Sequence, residues 1–234
     1  MGVEKQMNER HRKKRLDAIR YVLALPKSIW YNFRLFPIYQ ACRLPLLVSH
    51  RTRIVNLSGK MELHVDKLKV GLVKIGFGTY QGTDFHNDRT RLNLRGQLIV
   101  NGACTIGAGS SIEVTENGVF EFADHFNIGP KSLIICNKYI SIGEKVQTSW
   151  NCTFMDTDQH ELIDSAGNRS NNDRPILIGD NVWIGCHVII LKGTRLASNI
   201  TVGAGSIVHG VHDETCVVLA GNPAKTVKHG VKRI

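Results

Sequence analysis

One histidine stands in the chemically densest stretch of this chain, Asp156-Thr157-Asp158-Gln159-His160-Glu161. A neutral imidazole, with an ordinary pKa of about 6.5, can take a proton from a hydroxyl near neutral pH. Asp158 or Glu161 could orient such a ring, and so could a backbone carbonyl. The same residue types also fit a solvated loop histidine, so the local sequence leaves both readings open. The other candidates are less pointed. His187, His209 and His212 follow one another at spacings of 22 and 3, unlike paired zinc ligands, and His125 beside Asp124 suits a structural role. The six cysteines (42, 104, 136, 152, 186 and 216) form no CxxC and no Cys/His pair at zinc-finger spacing. They are expected to be reduced, small apolar packing residues, with no base near enough in sequence to make one a nucleophile. No metal is expected.

What would position His160 is a repeat of six. Ile178, Ile184, Ile190, Leu196, Val202 and Val208 are all branched aliphatics. A helix would repeat at 3.6 and a half-buried strand at two, so six suits neither. It suits a prism-shaped solenoid with three short faces per coil and one aliphatic per face pointing to the axis. Gly179-Asp180-Asn181 and Gly203-Ala204-Gly205 supply corner residues that tolerate positive φ. Upstream the same period holds at Leu94, Val100, Ile106 and Ile112. It resumes at Phe122, Ile128 and Ile134 after a slip of four, and at Ile142, Thr148 and Phe154 after a slip of two. Across residues 156–175 the phase is kept but the sequence is polar and turn-rich, which predicts a loop projecting from one corner. Residues 54–93 are strand-like but poorly phased, and are expected to form irregular first coils.

The run Ile178–Val208, with Asn181–Gly185 (NVWIG), Gly203–Ser206 (GAGS) and Gly221–Lys225 (GNPAK), resembles the hexapeptide-repeat acyltransferases, in the maltose, galactoside and polysaccharide O-acetyltransferase branch. The resemblance covers roughly residues 94–234. It implies a mainly β fold, a left-handed parallel β-helix of hexapeptide coils, with a short helical N-terminal segment and one projecting catalytic loop. With the division of charge along the chain, the expected domains are a basic amphipathic helical leader over 1–53 and a β-helix acyltransferase domain over 54–234, with the projecting loop at 156–175 and a C-terminal tail over 214–234. The resemblance further implies transfer of an acetyl group from acetyl-CoA, as co-substrate, to a sugar hydroxyl, and a homotrimer with active sites between subunits.

Residue by residue, the resemblance makes His160 the catalytic base. It places Trp183, Gly185, Cys186 and Ala204 along the coenzyme groove and Lys225 and Lys228 near its phosphates. Trp183 could instead be a packed flank residue, and the two lysines a solvated cluster with Lys232 and Arg233. His209-Gly210 stands where the family often has Thr-Lys, which puts the coenzyme pose in doubt. Asn151 and Asp156, polar at the border of the loop, are candidates for acceptor binding, with a turn-stabilising Asn as the alternative for the first.

Charge divides the chain. The formal net charge is +10, but residues 1–53 hold 12 Lys or Arg against 3 Asp or Glu, and the remainder is near neutral. Without an extended basic track or a recognised motif, a nucleic-acid partner is not expected. Apolar runs are too short for a spanning helix, and Tyr21–Leu25 is too short for a signal peptide, so a cytoplasmic protein is expected. In the leader, Pro26, Pro37 and Pro45 divide a basic, aromatic-rich sequence into short helical pieces. These pieces fit either peripheral contact with the inner face of the plasma membrane or a cap on the end of the prism. Three functions follow: O-acetylation of a surface-polysaccharide sugar (capsule or lipopolysaccharide), O-acetylation of a small free sugar or antibiotic, or a non-catalytic β-helix scaffold.

Overall fold

The computed structural model describes residues 2–79, 82–84 and 87–233, with side chains from residue 18 onward. Helix α1 (Gly2–Leu35) and the single turn α2 (Ile38–Ala41) lead into strands β1 (Leu46–Val48), β2 (Arg53–Leu57), β3 (Lys60–Leu63) and β4 (Val73–Gly78). These strands start three parallel sheets, and every later coil adds one strand to each in turn. Face A grows from β1 and β4 through Cys104–Gly107, Phe126–Ile128, Gln147–Thr148, Trp183–Ile184, Thr201–Val202 and Val218–Gly221. Face B grows from β2 and ends at Ile207–Val208; face C grows from β3 and ends at Val211–His212. The result is the β-helix that the hexad period predicts.

Its core is the inward row. Ile178, Ile184, Ile190, Leu196, Val202 and Val208 are all buried, as are Leu94, Val100, Ile106 and Ile112 upstream. Corners turn the chain by left-handed residues. Asn181, His187, Gly193, Asn199 and Gly205, six apart, have φ between 54° and 76°. Asn, His and Gly are the types that enter this region at least cost. Strand partners lie 22 residues apart at Gln97↔Val119, 20 at Val119↔Tyr139 and 18 at Leu177↔Arg195. The wider coils need larger inward side chains, and Phe120, Phe122 and Phe126 fill them with ring centroids 5.6–6.3 Å apart. Both slips in the period fall at the B-to-C corner, between Val114 and Val119 and between Cys136 and Tyr139. The polar segment 156–175 leaves from that same corner and carries its own antiparallel pair, Leu162–Ile163 with Arg169–Ser170.

The N-terminal region differs from expectation in two ways. The β-helix begins before residue 54, because β1 already pairs with β4 in register Leu46↔Val73. And Pro26 does not end α1, which runs through it to Leu35. Proline costs a helix one N–H bond and crowds the preceding turn. Here the helix just after it is tied down by bonds that Lys27, Ser28 and Asn32 make with the first coil. At the other end, Val218–Gly221 pairs antiparallel with Ala224–Lys228, which closes face A.

Candidate active site

The loop that carries His160 is pinned to the coil below it. Lys192, at the B-to-C corner of the next coil, is 7% exposed. Its ammonium lies 2.8 Å from the Asp158 carboxylate and donates to the Asn171 carbonyl at 2.9 Å. Asn171 Nδ2 in turn donates to the carbonyl of His160 at 2.8 Å. The hydrogen bond from Lys192 holds the Asp158 carboxyl below its ordinary pKa. One buried cation therefore ties both sides of the loop base and fixes the backbone of His160.

The carboxylates proposed to orient His160 are engaged elsewhere. Asp158 pairs with Lys192, and Glu161 accepts from Arg169 at 2.8 Å. Among the described residues the imidazole of His160 makes no hydrogen bond and faces solvent. It lines a polar cavity of about 250 Å³ with Asn137, Thr157, Gln159, Asn172 and Asp173. Asn137 and Asp173 are joined side chain to side chain.

Asp156 is not available to an acceptor. It is fully buried, and its carboxylate accepts from the backbone N–H groups of Asn137, Lys138 and Tyr139 at 2.7, 2.8 and 2.8 Å. It stitches the loop's start to the bulged corner of the coil before, because three converging N–H groups can satisfy a buried carboxylate where water cannot reach. Asn151 has φ 55° at an A-to-B corner, with its side-chain amide 3.4 Å from His187 Nε2 in the next coil. That is a turn position on a different edge of the prism from His160.

The groove candidates share that other edge. Trp183 is exposed on face A, and Gly185, Cys186 and Ala204 form successive A-to-B corners. A Cβ on Gly185 would come 2.6 Å from the backbone nitrogen of Ala204, so the glycine permits the coils to stack. At Gly205 a Cβ would meet nothing within 4 Å, which leaves the outer side of this edge open. Lys225 and Lys228 are exposed on the closing strand of face A and make no ion pair among the described residues. Small corner residues on an open edge, with exposed cations on the closing strand of the adjoining face, suit a long, thin, anionic ligand.

Within one chain, then, His160 stands at the B-to-C edge and the groove candidates at the A-to-B edge, with face B between them. The outward side chains of face B include Leu133, Ile135, Met155, Ile189, Leu191 and Ile207, a half-buried apolar band. Asn137, Asp173 and Lys192 are the contributors that sequence reasoning missed. The one signal for Lys192 was a charge at a hexad position where the neighbouring hexads carry Cys186, Ser198 and Ala204.

The cysteines divide. Cys104, Cys136 and Cys152 are buried, and burial pushes the thiol of Cys152 up to about 11, while Cys42 is exposed and Cys186 and Cys216 are half-buried. Among the described residues no three His, Cys, Asp or Glu side chains converge as a metal site would need. No helix of the described residues is long and apolar enough to cross a membrane.

Comparison with known proteins finds relatives named as O-acetyltransferases and one uncharacterized protein. No family model matches the chain. It is 32% identical over 155 residues to a galactoside O-acetyltransferase of Escherichia coli, covering 61% of this chain and 72% of that protein. It is 28% identical over 199 residues to an uncharacterized 24.8 kDa protein in the cps region of Klebsiella pneumoniae, covering 85% and 86%. A provisionally named lipopolysaccharide biosynthesis O-acetyl transferase of Escherichia coli is 29% identical over 133 residues, covering 53% and 67%.

Proposed function

Because the chain belongs to the hexapeptide-repeat (left-handed β-helix) acyltransferases, in the branch of the galactoside O-acetyltransferases, we propose that it transfers an acetyl group from acetyl-CoA to a sugar hydroxyl, with His160 as general base. The observation that carries this reading is the cavity beside His160. A solvated imidazole borders a ring of amide, hydroxyl and carboxylate groups, which is the chemistry that recognises a polyhydroxy acceptor. When bound, acetyl-CoA supplies a thioester carbonyl carbon, to which the acceptor oxygen bonds as the carbon–sulfur bond breaks. His160 takes the hydroxyl proton as that oxygen attacks, and returns it to the departing sulfur. Lys192, through Asp158 and Asn171, holds the loop at the height where the imidazole meets the acceptor. The A-to-B edge of a neighbouring copy would hold the pantetheine chain, and its Lys225 and Lys228 the phosphates.

The separation of His160 from the groove candidates by the width of face B supports sites built between copies. A strand face and its corners, from Cys186 to Lys192, span at most about 20 Å at roughly 3.3 Å per residue. Packing the apolar band of face B against a neighbour brings one copy's loop to the other's corner. Repetition of this head-to-tail contact closes as a homotrimer. The acceptor we take to be a sugar of a surface polysaccharide, with support from the names of the cps-region and lipopolysaccharide relatives.

The test is thiol release from acetyl-CoA with a panel of galactosides, oligosaccharides and amine acceptors, followed by mass measurement of the product. Sugar-dependent release with a base-labile ester is expected. Release only with amines, or none with any acceptor, would contradict the reading. Turnover of simple sugars and not of oligosaccharides would move the acceptor to the small free class.

A further inference from the structure

The inward side of helix α1 is mixed: Tyr31 and Leu35 pack on the hydrophobic core, and a second row beside them does not. That second row, Ala24, Ser28 and Asn32, is fully buried and mostly polar. Asn32 Nδ2 donates to the Leu46 carbonyl at 2.7 Å, and its Oδ1 accepts from the Leu46 N–H at 3.1 Å. The Ser28 hydroxyl accepts from the Val48 N–H at 2.9 Å, and Lys27 Nζ donates to the Thr52 carbonyl at 2.7 Å. These side chains occupy the free edge of β1, the outermost strand of face A. An open edge invites another strand, and a helix that bonds it removes that hazard.

The opposite row is apolar and bare. Ile19, Val22, Leu23, Ile29, Trp30 and Phe33 recur at helical spacing and are 44–64% exposed. In the turn α2, Ile38 and Tyr39 extend the patch at 74% and 69%. Since the buried row bonds the end strand of the solenoid, this bare row points away from the prism along its axis. A contiguous apolar patch of this extent marks an interaction surface.

Charge identifies the occupant. Residues 1–53 carry 12 Lys or Arg against 3 Asp or Glu, while the rest of the chain is near neutral. Burial lowers the pKa of His50, and Arg51, Lys27 and Arg20, crowded at the same end of the prism, lower it further. A second copy on the same row would bring two such segments together against their repulsion, whereas an anionic surface neutralises them. Trp30 and Tyr39 have the amphipathic rings that settle at a headgroup interface.

We propose that the bare row of α1 docks on an anionic lipid surface, so that the β-helix stands on the membrane by its N-terminal end. The helix is thus both the cap and the anchor: one row closes the sheet edge and the other enters the headgroup region. The His160 loop leaves face B four strand steps from β2, about 19 Å at roughly 4.8 Å per step. Resting on the acetyl-transfer reading, this height selects an acceptor sugar held some way out from the bilayer, as on a lipid-carried oligosaccharide.

The experiment is co-sedimentation of the full chain with vesicles of phosphatidylcholine alone or with one-third phosphatidylglycerol. The wild type is compared with Ile29→Ser/Trp30→Ser/Phe33→Ser, and with Leu162→Ser/Ile163→Ser as a control on exposed apolar residues elsewhere. Binding to the anionic vesicles at least about tenfold above the neutral ones, weakened by salt and lost about tenfold or more in the α1 variant alone, is expected. Equal partition into both vesicles, or an α1 variant that binds like wild type, would overturn the proposal. So would an α1 variant whose only change is a smaller particle in light scattering, because that assigns the row to a second copy. Thermal melts of all three proteins should coincide, since none of the changed residues is buried. The readout is lipid binding, so its failure leaves the acetyl-transfer reading intact, and a failure of acetyl transfer leaves the docking result standing.

Discussion

Replacing Lys192 by Met keeps the length of the side chain and removes its charge. The ammonium that is lost bonds the Asp158 carboxylate at 2.8 Å and the Asn171 carbonyl at 2.9 Å. Bonds to a charged group contribute about 1.5–3 kcal/mol each. The Asp158 side chain is 43% exposed, so water replaces much of the lost bond, and the ion pair counts for well under half of that range. A net holding free energy of about 2 kcal/mol corresponds to roughly a thirtyfold change in the ratio of anchored to released loop. Because Lys192 reaches His160 only through Asn171 and the loop backbone, the change should act on the acceptor side. Acceptor kcat/KM should fall about tenfold to thirtyfold, and the KM for the acyl donor should stay within about twofold. The melting temperature should move little, because the coils under the loop keep their packing. Hydrogen exchange of the amides in 157–171 should speed up in the same variant, and Lys192→Arg should recover part of both losses. Wild-type acceptor kinetics together with faster exchange would refute the positioning role, since the loop would then be loose without consequence.

Three further predictions are independent of that one. Asn32→Leu leaves the Leu46 N–H and carbonyl buried without partners, and should destabilise the fold by about 2–4 kcal/mol in urea unfolding. If the site lies between copies, His160→Ala mixed with Ala204→Trp should regain activity after co-refolding, although each is inactive alone; no recovery would place the site within one chain. The Asp158 carboxyl is lowered in the folded loop, so its contribution is full above the unfolded value of about 3.9 and is lost as pH falls through the lower folded value. Exchange protection of the loop amides should therefore hold from neutral pH down to about 4 and drop below it in wild type, with no such step in Lys192→Met.

The solenoid was legible because its physics is local. An inward position every six residues tolerates little but an aliphatic, and a corner needs Asn, Gly or another residue that accepts positive φ. So Ile178 to Val208 declared their role without any knowledge of partners. The projecting loop was legible for the converse reason, since nothing in 156–175 could fill an axis. Asp156 and Lys192 were not legible, because a buried charge is explained only by what it meets elsewhere in the fold, 17–19 residues away for Asp156 and 21–34 for Lys192. The leader was half legible. Its sequence shows two chemically different rows, but a polar row facing a protein requires an open strand edge to bond. That edge is β1, which sequence phasing had left inside the leader. Pro26 misled for the same reason: the bonds from Lys27, Ser28 and Asn32 outweigh a penalty that proline imposes on an isolated helix.

The central claim is that His160 is the base for acetyl transfer to a sugar hydroxyl. The direct measurement is turnover of His160→Ala, by thiol release and product mass, at saturating acetyl-CoA with the acceptor that the wild type uses. The account predicts a protein of unchanged melting temperature and unchanged particle size that has lost at least about a hundredfold in kcat. Near-normal turnover by that variant would contradict it.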